Sequence, residues 1–285
     1  MTLDAALREA AGRLSGASAT PRLDAELLLA QLLGKPRSWL YAWGDRALEP
    51  AIGAAFEALI ERRRAGEPVA YLIGYREFHG LELEVGPATL IPRPDTECLV
   101  DLALSLAEQE RGDALDLGTG SGAIALAFAR ARPGWRVVAC DRVEEALALA
   151  RRNAERLSID NLEFVLSDWF AAPGLASRRF GLILSNPPYI AEDDHHLALG
   201  DLRFEPRSAL VAADGGLADL RRIIMDAFHH LLPGGWLLLE HGMAQGGAVR
   251  DSLMAAGFER VATHPDLGGR ERVSLGRRAC LAPGE

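Results

Sequence analysis

The chain has 285 residues, of which 49% are hydrophobic and 25% are charged, as is typical of a globular protein with a sizeable core. Its 31 basic and 40 acidic residues give a formal net charge of −9, which argues weakly against a long contact surface for a nucleic-acid backbone. The three cysteines, Cys98, Cys140 and Cys280, form no CxxC pair, and we interpret them as reduced thiols rather than a disulfide framework or zinc site. Because no apolar run reaches transmembrane length and the N-terminus lacks a signal-peptide pattern, we expect a cytoplasmic protein.

Residues 1–65 are predicted to form a helical domain. The segment ATPRLDAELLLAQLLGK offers Thr20 as an N-cap, Pro21 at the first helical position and Gly34 as the stop. The segment PAIGAAFEALIERRRAG predicts a second helix. We interpret its arginine run, residues 62–64, as a solvated last turn that suits the negative end of the helix dipole.

Residues 66–90 are predicted to form a β-hairpin that links two domains. The segment PVAYLIGYREFHGLELEVGPATL alternates between apolar and polar positions and contains turn glycines. In the segment that follows, Pro92 and Pro94 favour an extended entry, after which Asp95 or Thr96 is expected to cap a helix.

Residues 91–285 are predicted to form an α/β domain, because strands and helices alternate from Ala114 onward. The predicted strands are continuous apolar runs, as expected for a parallel sheet covered on both faces. They are ALDLG, WRVVACD, LEFVLSD, FGLILSN and GWLLLEHG, followed by an antiparallel edge pair, FERVATHPD and RERVSLGR. The expected architecture is a Rossmann-like, mostly parallel, seven-stranded sheet.

The first strand of this domain ends in the motif DLGTGSG. We predict that Gly118, Thr119, Gly120, Ser121 and Gly122 form a cofactor-binding loop, because glycines allow close backbone approach and the next helix begins there with free N–H groups. The alternative is a glycine turn needed only for strand–helix packing. The G-x-G-x-G spacing also differs from the dinucleotide fingerprint G-x-G-x-x-G.

The second and third strands end in candidate ligands for a nucleoside. Asp141 lies nineteen positions after Gly122, near the offset at which an acid binds ribose hydroxyls, although it could instead begin the next helix. Asp168 could accept a hydrogen bond from an exocyclic amine, and Trp169 offers a flat apolar face, although it could also be a core residue. Together with the glycine loop, these candidate ligands fit a nucleoside without phosphates best. We therefore predict S-adenosylmethionine as the cofactor.

The fourth strand ends in Asn186-Pro187-Pro188-Tyr189, which we interpret as a clamp for a planar nitrogen. Such a nitrogen is a poor nucleophile because its lone pair is delocalised. The Asn186 side-chain oxygen and a carbonyl of the Pro-Pro stretch could accept its two N–H bonds, while Tyr189 stacks on the planar group. We predict Asn186, Pro187 and Tyr189 as catalytic, all four residues as substrate-binding, and Asn186 also as a cofactor contact. A Pro-Pro turn that only ends the strand is the alternative.

These motifs resemble those of class I S-adenosylmethionine-dependent methyltransferases that act on planar amino nitrogens. From about Glu67 to Arg277 the chain resembles the HemK/PrmC family more specifically. The segments that carry this resemblance are YLIGYREFHGLELEV, LIPRPDTE, SDWF, SNPPYI, FEPRSALVAADGG and LLLEHG.

The resemblance implies methylation of the side-chain amide nitrogen (N5) of the glutamine in the Gly-Gly-Gln loop of class I peptide-chain release factors, with S-adenosylhomocysteine as product. It implies cofactor contacts at residues 118–122, a ribose ligand at Asp141, an adenine-side Trp169 and a motif asparagine at Asn186. It also implies that residues 1–65 help to hold the release factor.

Two other function classes remain open at this stage. One is a DNA or RNA amino-nitrogen methyltransferase, which shares the NPPY motif; the other is a nucleotide-binding module without catalysis. We predict no metal site, because His195 and His196 lack a third ligand at a usable spacing. We expect a monomer without direct nucleic-acid or membrane partners. The long segment 190–216 is a candidate lid or substrate wall.

Overall fold

The computed structural model describes residues 1–280, which form two compact units. The first unit comprises Met1–Tyr75 and His195–Phe204. The second comprises Arg76–Asp194 and the residues from Glu205 onward. The hairpin segment is thus divided at Tyr75, and the three-part division of the chain stays a prediction. Among the described helices, none combines the length and the apolarity needed to cross a membrane.

The first unit is helical. Its α-helices are α1 Leu3–Leu14, α2 Pro21–Leu33, α3 Arg37–Ala42, α4 Pro50–Arg64 and α5 Val69–Ile73, and its 3₁₀ turns are His195–Ala198 and Gly200–Phe204. Helix α2 begins at Pro21 and ends at Gly34 with φ +61°, as predicted. The Thr20 side chain, however, makes no capping bond and instead donates to Asp24 Oδ1 at 3.0 Å. Helix α5 lies where the sequence predicted strand.

The arginine run at the end of α4 is only partly solvated. Arg62 and Arg64 are exposed, but Arg63 is buried. Its Nε donates to Asp24 Oδ2 at 2.7 Å, and its Nη1 donates to Asp201 Oδ1 at 3.0 Å. The prediction of a solvated turn is therefore wrong for Arg63, because two carboxylates from distant parts of the chain compensate its burial.

The second unit contains a seven-stranded sheet and a small hairpin. The hairpin strands are β1 Tyr75–Phe78, whose first residue is counted in the first unit, and β2 Leu81–Glu84. The strands of the large sheet are β3 Gly112–Leu117, β4 Trp135–Asp141, β5 Leu162–Leu166, β6 Phe180–Ser185, β7 Leu231–Glu240, β8 Glu259–Pro265 and β9 Glu271–Arg277. Its helices are α6 Glu97–Leu106, α7 Ala123–Ala131, α8 Glu144–Leu157, α9 Arg207–Leu210, α10 Ala213–Gly216, α11 Ala218–His230 and α12 Gly246–Ala255.

The strand order β5-β4-β3-β6-β7-β9-β8 confirms the predicted doubly wound fold. Strands β3 to β7 pair in parallel, and β9 pairs antiparallel with both β7 and β8. From β3 the chain first moves outward to β4 and β5, and it then returns to place β6 on the other side of β3. This reversal is a topological switch point, where open α/β sheets bind ligands beyond the carboxyl ends of their strands.

A buried asparagine joins the hairpin to the glycine loop. The Asn153 side chain in α8 is 0% exposed. Its Oδ1 accepts from the Glu84 N–H at 2.7 Å, and its Nδ2 donates to the Glu84 and Ser121 carbonyl oxygens, each at 3.0 Å. One amide therefore fixes the end of β2 and the loop after β3 to the same helix.

Replacing this amide tests its structural role. We expect Asn153→Ala to lower the free energy of unfolding by roughly 2–4 kcal/mol, because it leaves the buried carbonyl of Ser121 and the partly buried backbone groups of Glu84 unpaired. The control is Arg152→Ala, which removes an exposed ion pair to the same Glu84 and should cost less than about 1 kcal/mol. Urea denaturation of both variants measures the difference, and equal losses would contradict this assignment.

Candidate active site

The predicted site residues converge on one cavity in the second unit. The ends of β3, β4, β5 and β6 contribute to its wall, together with the segment before α6. The predicted residues that line it are Gly118, Thr119, Gly120, Ser121, Asp141, Asp168, Trp169, Asn186 and Pro188. Three others, Gly122, Pro187 and Tyr189, are not part of the lining.

The glycine loop needs its glycines for two different reasons. Gly118 has φ +73°, and a Cβ there would lie 3.2 Å from the Trp169 ring, so glycine lets the indole pack against the loop. Gly122 has φ +86°, and a Cβ would lie 2.9 Å from Leu126 and 3.2 Å from Ala150. The structure therefore supports the packing explanation for Gly122. Gly118, in contrast, lines the cavity.

The buried carboxyl group of Asp116 makes a hydrogen bond to this loop. Asp116 is fully buried, its Oδ2 accepts from the Thr119 hydroxyl at 2.6 Å, and its Oδ1 has no partner in the described part of the chain. Burial raises the pKa of Asp116 to about 7. Asp116 was not among the site residues predicted from the sequence, although an acid inside an apolar strand was the available signal.

Asp141 holds the loop and the next helix at once. Its Oδ2 accepts from the Gly120 N–H at 2.9 Å, and its Oδ1 accepts from the Val143 N–H at 2.9 Å, one residue before α8. Each carboxylate oxygen has a further lone pair, so these bonds leave acceptor capacity toward the cavity. Both readings of Asp141 from the sequence, as a ligand and as a helix start, are compatible with this geometry.

Asp168 and Trp169 form a polar and an apolar part of the same wall. Asp168 Oδ2 accepts from Arg222 Nη1 at 2.9 Å, whereas its Oδ1 is buried and has no donor among the residues described. Trp169 is 7% exposed, has φ +53°, and donates from its ring nitrogen to Asp219 at 3.3 Å. An unfilled acceptor beside a flat apolar ring fits an adenine base with its exocyclic amine.

Asn186 follows β6, and the amide nitrogen of its side chain already makes a hydrogen bond. Its Nδ2 donates to Thr96 Oγ1 at 3.2 Å, and its Oδ1 accepts from no residue in 1–280. The next two residues, Pro187 and Pro188, cannot donate, because proline has no N–H. The start of the NPPY motif therefore presents acceptors rather than donors.

Tyr189 makes hydrogen bonds through its hydroxyl group and through its backbone carbonyl. Its hydroxyl donates to Glu240 Oε1 at 3.1 Å, and its carbonyl accepts from Gln245 Nε2 at 3.0 Å. Burial raises the pKa of the Tyr189 hydroxyl. Its ring packs against the core on one face of the sheet, and stacking on a substrate stays a prediction.

Thr96 contacts Asn186 and Glu240 contacts Tyr189, and neither side chain was assigned to the site from the sequence. Thr96 occupies the N-cap position of α6 but makes no capping bond, so the predicted capping role is wrong for its side chain. Glu240 is 1% exposed at the end of β7, and burial raises its pKa to about 7. A carboxyl group at the end of the apolar run LLLE was the available signal.

The metal prediction rested on a missing third ligand, and that premise is wrong. Ligand atoms of the consecutive residues Asp194, His195 and His196 lie within 4.8 Å of one another. Both histidines are exposed, and none of the three lines the cavity. The absence of a metal stays a prediction.

The sheet and its strand-end cavity define a class I methyltransferase fold. A methyltransferase from Pyrococcus furiosus matches with a TM-score of 0.54 at 21% identity, covering 79% of this chain and 99% of that one. The hMettl16 catalytic domain matches with a TM-score of 0.58 at 18% identity, covering 82% and 83% of the two chains. These likenesses concern the fold alone.

Comparison of sequences identifies the family. Residues 5–74 match the model of the PrmC N-terminal domain, and residues 96–219 match that of the methyltransferase small domain. The release factor glutamine methyltransferase of Vibrio cholerae is 53% identical over 278 residues, which is 97% of each chain. That of Pseudomonas aeruginosa is 56% identical over 263 residues, covering 92% of this chain and 95% of the relative. The chain belongs to the release factor glutamine methyltransferase family.

The buried carboxyl under the loop predicts a pH effect on stability. Because the Asp116 pKa rises from 3.8 to about 7 on folding, the folded protein binds more protons than the unfolded chain between these values. Its contribution is therefore favourable at low pH and is lost as the pH rises toward 7. Asp116→Asn lacks this titrating group. The free energy of unfolding of the variant minus that of wild type should therefore increase by roughly 1.4 kcal/mol per pH unit between these two pKa values.

Urea denaturation at a series of pH values between about 4 and 8 measures this slope. Asp113→Asn, which removes a partly exposed carboxylate from the start of the same strand, controls for the loss of one negative charge. A slope in Asp116→Asn equal to that of wild type would contradict the assignment.

Proposed function

We propose that this protein transfers a methyl group from S-adenosylmethionine to the side-chain amide nitrogen of the glutamine in the Gly-Gly-Gln motif of class I peptide-chain release factors. The observation that carries this proposal is the Asn186 side chain, whose Nδ2 is bound to Thr96 and whose Oδ1 is left as an acceptor at a strand-end cavity. Glutamine and release factor as the target follow from the family, whose members at 53% and 56% identity bear that name.

The residues of this chain fit the proposed cofactor. The loop 118–121 offers a close backbone approach, Asp141 has spare acceptor capacity for ribose hydroxyls, and Asp168 Oδ1 is an unfilled acceptor beside Trp169. When bound, S-adenosylmethionine supplies an electrophilic methyl group on a sulfonium, which needs no metal.

The proposed contribution of the NPPY motif is to hold the substrate amide. Asn186 Oδ1 and a carbonyl of Pro187 or Pro188 accept the two N–H bonds of the glutamine side chain, and Tyr189 packs beside its plane. These acceptors draw the nitrogen away from planar geometry, which makes its lone pair available. The methylated nitrogen is strongly acidic and transfers its proton to water, so the chain needs no dedicated base. Catalysis rests mainly on positioning.

The first unit offers a surface suited to the protein substrate. Tyr41 and Trp43 are 64% and 42% exposed, and the Arg46 guanidinium lies 4.1 Å from the Trp43 ring centroid and 5.5 Å from that of Trp39. Tryptophan, tyrosine and arginine are the residues that most often carry binding energy at protein interfaces. We therefore assign residues 1–65 to release-factor docking, in a cytoplasmic monomer without nucleic-acid or membrane partners.

The motif asparagine provides the test of the proposed reaction. We expect Asn186→Ala to retain cofactor binding within a few-fold while methyl transfer to a release factor falls by about a hundredfold or more, because the amide nitrogen loses a positioned acceptor. Transfer of labelled methyl measures the rate, and isothermal titration measures cofactor binding. Near-normal turnover of Asn186→Ala would contradict the proposed mechanism.

Two controls identify the acceptor in the same assay. A release factor whose Gly-Gly-Gln glutamine is replaced by alanine should take up no label. Labelling of DNA or RNA, with none on the release factor, would favour an amino-nitrogen methyltransferase acting on nucleic acid and would refute the proposal.

The aromatic surface gives a separate prediction about the substrate. We expect Trp43→Ala to raise the KM for the release factor by about fivefold to tenfold, because truncation of an interface aromatic typically costs about 1 kcal/mol or more. The affinity for the cofactor should not change. Arg8→Ala, an exposed change on α1 of the same unit, is the control. An unchanged KM in Trp43→Ala would exclude this surface from docking.

A further inference from the structure

Two sequence motifs that have no part in the proposed reaction are joined by a buried carboxylate. The motif LIPRPDTE covers residues 90–97, and FEPRSALVAADGG covers residues 204–216. The Glu205 side chain of the second motif is 0% exposed, and its Oε1 pairs with the Arg93 guanidinium of the first. Its Oε2 accepts from the Ile91 N–H at 3.2 Å. The two motifs are therefore in direct contact although they are far apart in sequence.

The first motif begins in irregular backbone that needs an external partner. Residues 85–93 belong to no helix or strand, so neither a sheet ladder nor a helix holds them. Pro92 and Pro94 have no N–H to donate, which leaves few backbone donors in this stretch. A buried N–H requires an acceptor, and the buried Ile91 N–H finds it in Glu205. Glu205 thus replaces the secondary structure that this part of the chain lacks.

Residues 89–96, called the wall segment, connect two parts of the cavity. The members of this segment that line it are Thr89, Leu90, Pro92 and Thr96. At one end, Thr89 faces the glycine loop, because a Cβ added at Gly120 would lie 3.8 Å from Thr89 Cβ. At the other end, Thr96 Oγ1 accepts from Asn186 Nδ2 at 3.2 Å. The wall segment therefore extends from the proposed cofactor loop to the proposed substrate clamp.

The residues that follow Glu205 form an adjoining part of the cavity wall. Ser208 and Ala209 line the cavity. The Ser208 carbonyl accepts from Arg142 Nη2 at 2.9 Å, directly after β4. The backbone of Glu205 thus continues into one part of the wall, while its side chain is bonded to another. Glu205 itself does not line the cavity.

We propose that Glu205 is a positioning residue for methyl transfer, a role that rests on the proposed function. Its carboxylate fixes the wall segment at Ile91 and Arg93, and through it the separation between the glycine loop and Asn186. Transfer requires the methyl carbon and the attacking nitrogen to be aligned at close distance, so a displaced wall slows the reaction. Neither Glu205 nor Arg93 lines the cavity, and neither touches the reacting atoms.

Two substitutions at Glu205 separate its polar contacts from packing. Methionine fills a similar space without an acceptor, whereas glutamine keeps an oxygen for the Ile91 N–H but loses the charge that faces Arg93. We expect Glu205→Met to lower kcat by about tenfold or more, and Glu205→Gln to lie between this variant and wild type. A role in packing alone predicts a kcat near wild type for Glu205→Met.

The same variants should bind both substrates almost normally. We expect the cofactor Kd and the KM for the release factor to stay within about threefold of wild type. The reason is that the bonds of Asp141 to Gly120 and of Asp168 to Arg222 do not involve Glu205. Isothermal titration measures the Kd, and transfer of labelled methyl measures kcat and KM.

Arg93→Met tests the ion pair from its other partner. The Arg93 side chain is 32% exposed and lies outside the cavity lining, so its replacement leaves the lining residues unchanged. We expect kcat to fall by about threefold or more. Adding Arg93→Met to Glu205→Met should change kcat by less than about twofold, because both substitutions remove the same contact.

Asn161→Ala is the control for a general loss of stability. The partly buried Asn161 amide donates to the carbonyl oxygens of Ala129, Arg132 and Trp135. These bonds lie at the amino end of the sheet, away from the cavity at the carboxyl ends of the strands. Urea denaturation should therefore show a less stable protein whose kcat equals that of wild type.

Amide hydrogen exchange provides a readout that does not depend on activity. The Ile91 N–H is buried and bonded to Glu205, so it should exchange slowly in wild type. In Glu205→Met, peptides that cover residues 88–96 should exchange faster by about tenfold or more, whereas peptides from β4 should not change. Asn161→Ala should leave exchange in residues 88–96 at the wild-type rate.

The outcomes that would overturn this role are distinct from failure of the proposed function. Wild-type kcat in Glu205→Met or Arg93→Met, or unchanged exchange in residues 88–96, would refute it. A loss of cofactor affinity as large as the loss of kcat would refute it as well. If Glu205→Met does not fold, kcat in Arg93→Met decides by the same criterion. If wild-type protein itself fails to methylate the release-factor glutamine, the proposed function is wrong, and hydrogen exchange still tests the contact.

Discussion

Parallel pairing of β3 with β4 and β6 is the constraint on which the candidate site depends. Leu117, the last residue of β3, pairs with Cys140 on one side and with Ser185 on the other, so the loops after the three strands begin side by side. A slip of one residue would turn each following side chain to the opposite face of the sheet. The glycine loop, the acid at the end of β4 and Asn186 after β6 share one cavity because of this register.

Two incompletely hydrogen-bonded carboxyl groups are buried in this domain, and their burial lowers its stability. Asp116 and Glu240 are almost fully buried, each has one oxygen without a donor in the described chain, and burial raises the pKa of each to about 7. A core selected for stability alone would exclude such groups. Both contact residues of the candidate site: Asp116 holds Thr119, and Glu240 holds Tyr189. The unfavourable groups thus lie where the proposed chemistry requires fixed side chains.

Local sequence patterns predicted the sheet and the residues at its strand ends, because both depend on short-range information. Continuous apolar runs indicate buried parallel strands, and prolines and glycines mark where they stop. The contributions of Arg63, Asn153 and Thr96 were not predictable in this way. Each is determined by partners distant in sequence: Arg63 by Asp201, Asn153 by Glu84, and Thr96 by Asn186. Local rules offered Asp95 or Thr96 as a helix cap, but the Thr96 hydroxyl accepts a hydrogen bond from Asn186 and makes no capping bond.

In the proposed reaction, the acceptors at Asn186 select a planar amide nitrogen of a release factor. Tandem mass spectrometry of the release factor after reaction with wild-type protein and cofactor tests this most directly, because fragment ions locate the added methyl within the Gly-Gly-Gln peptide. We expect a single methyl group on the side-chain nitrogen of the glutamine. A methyl group on another residue, on the peptide backbone or on no site in the release factor would contradict it.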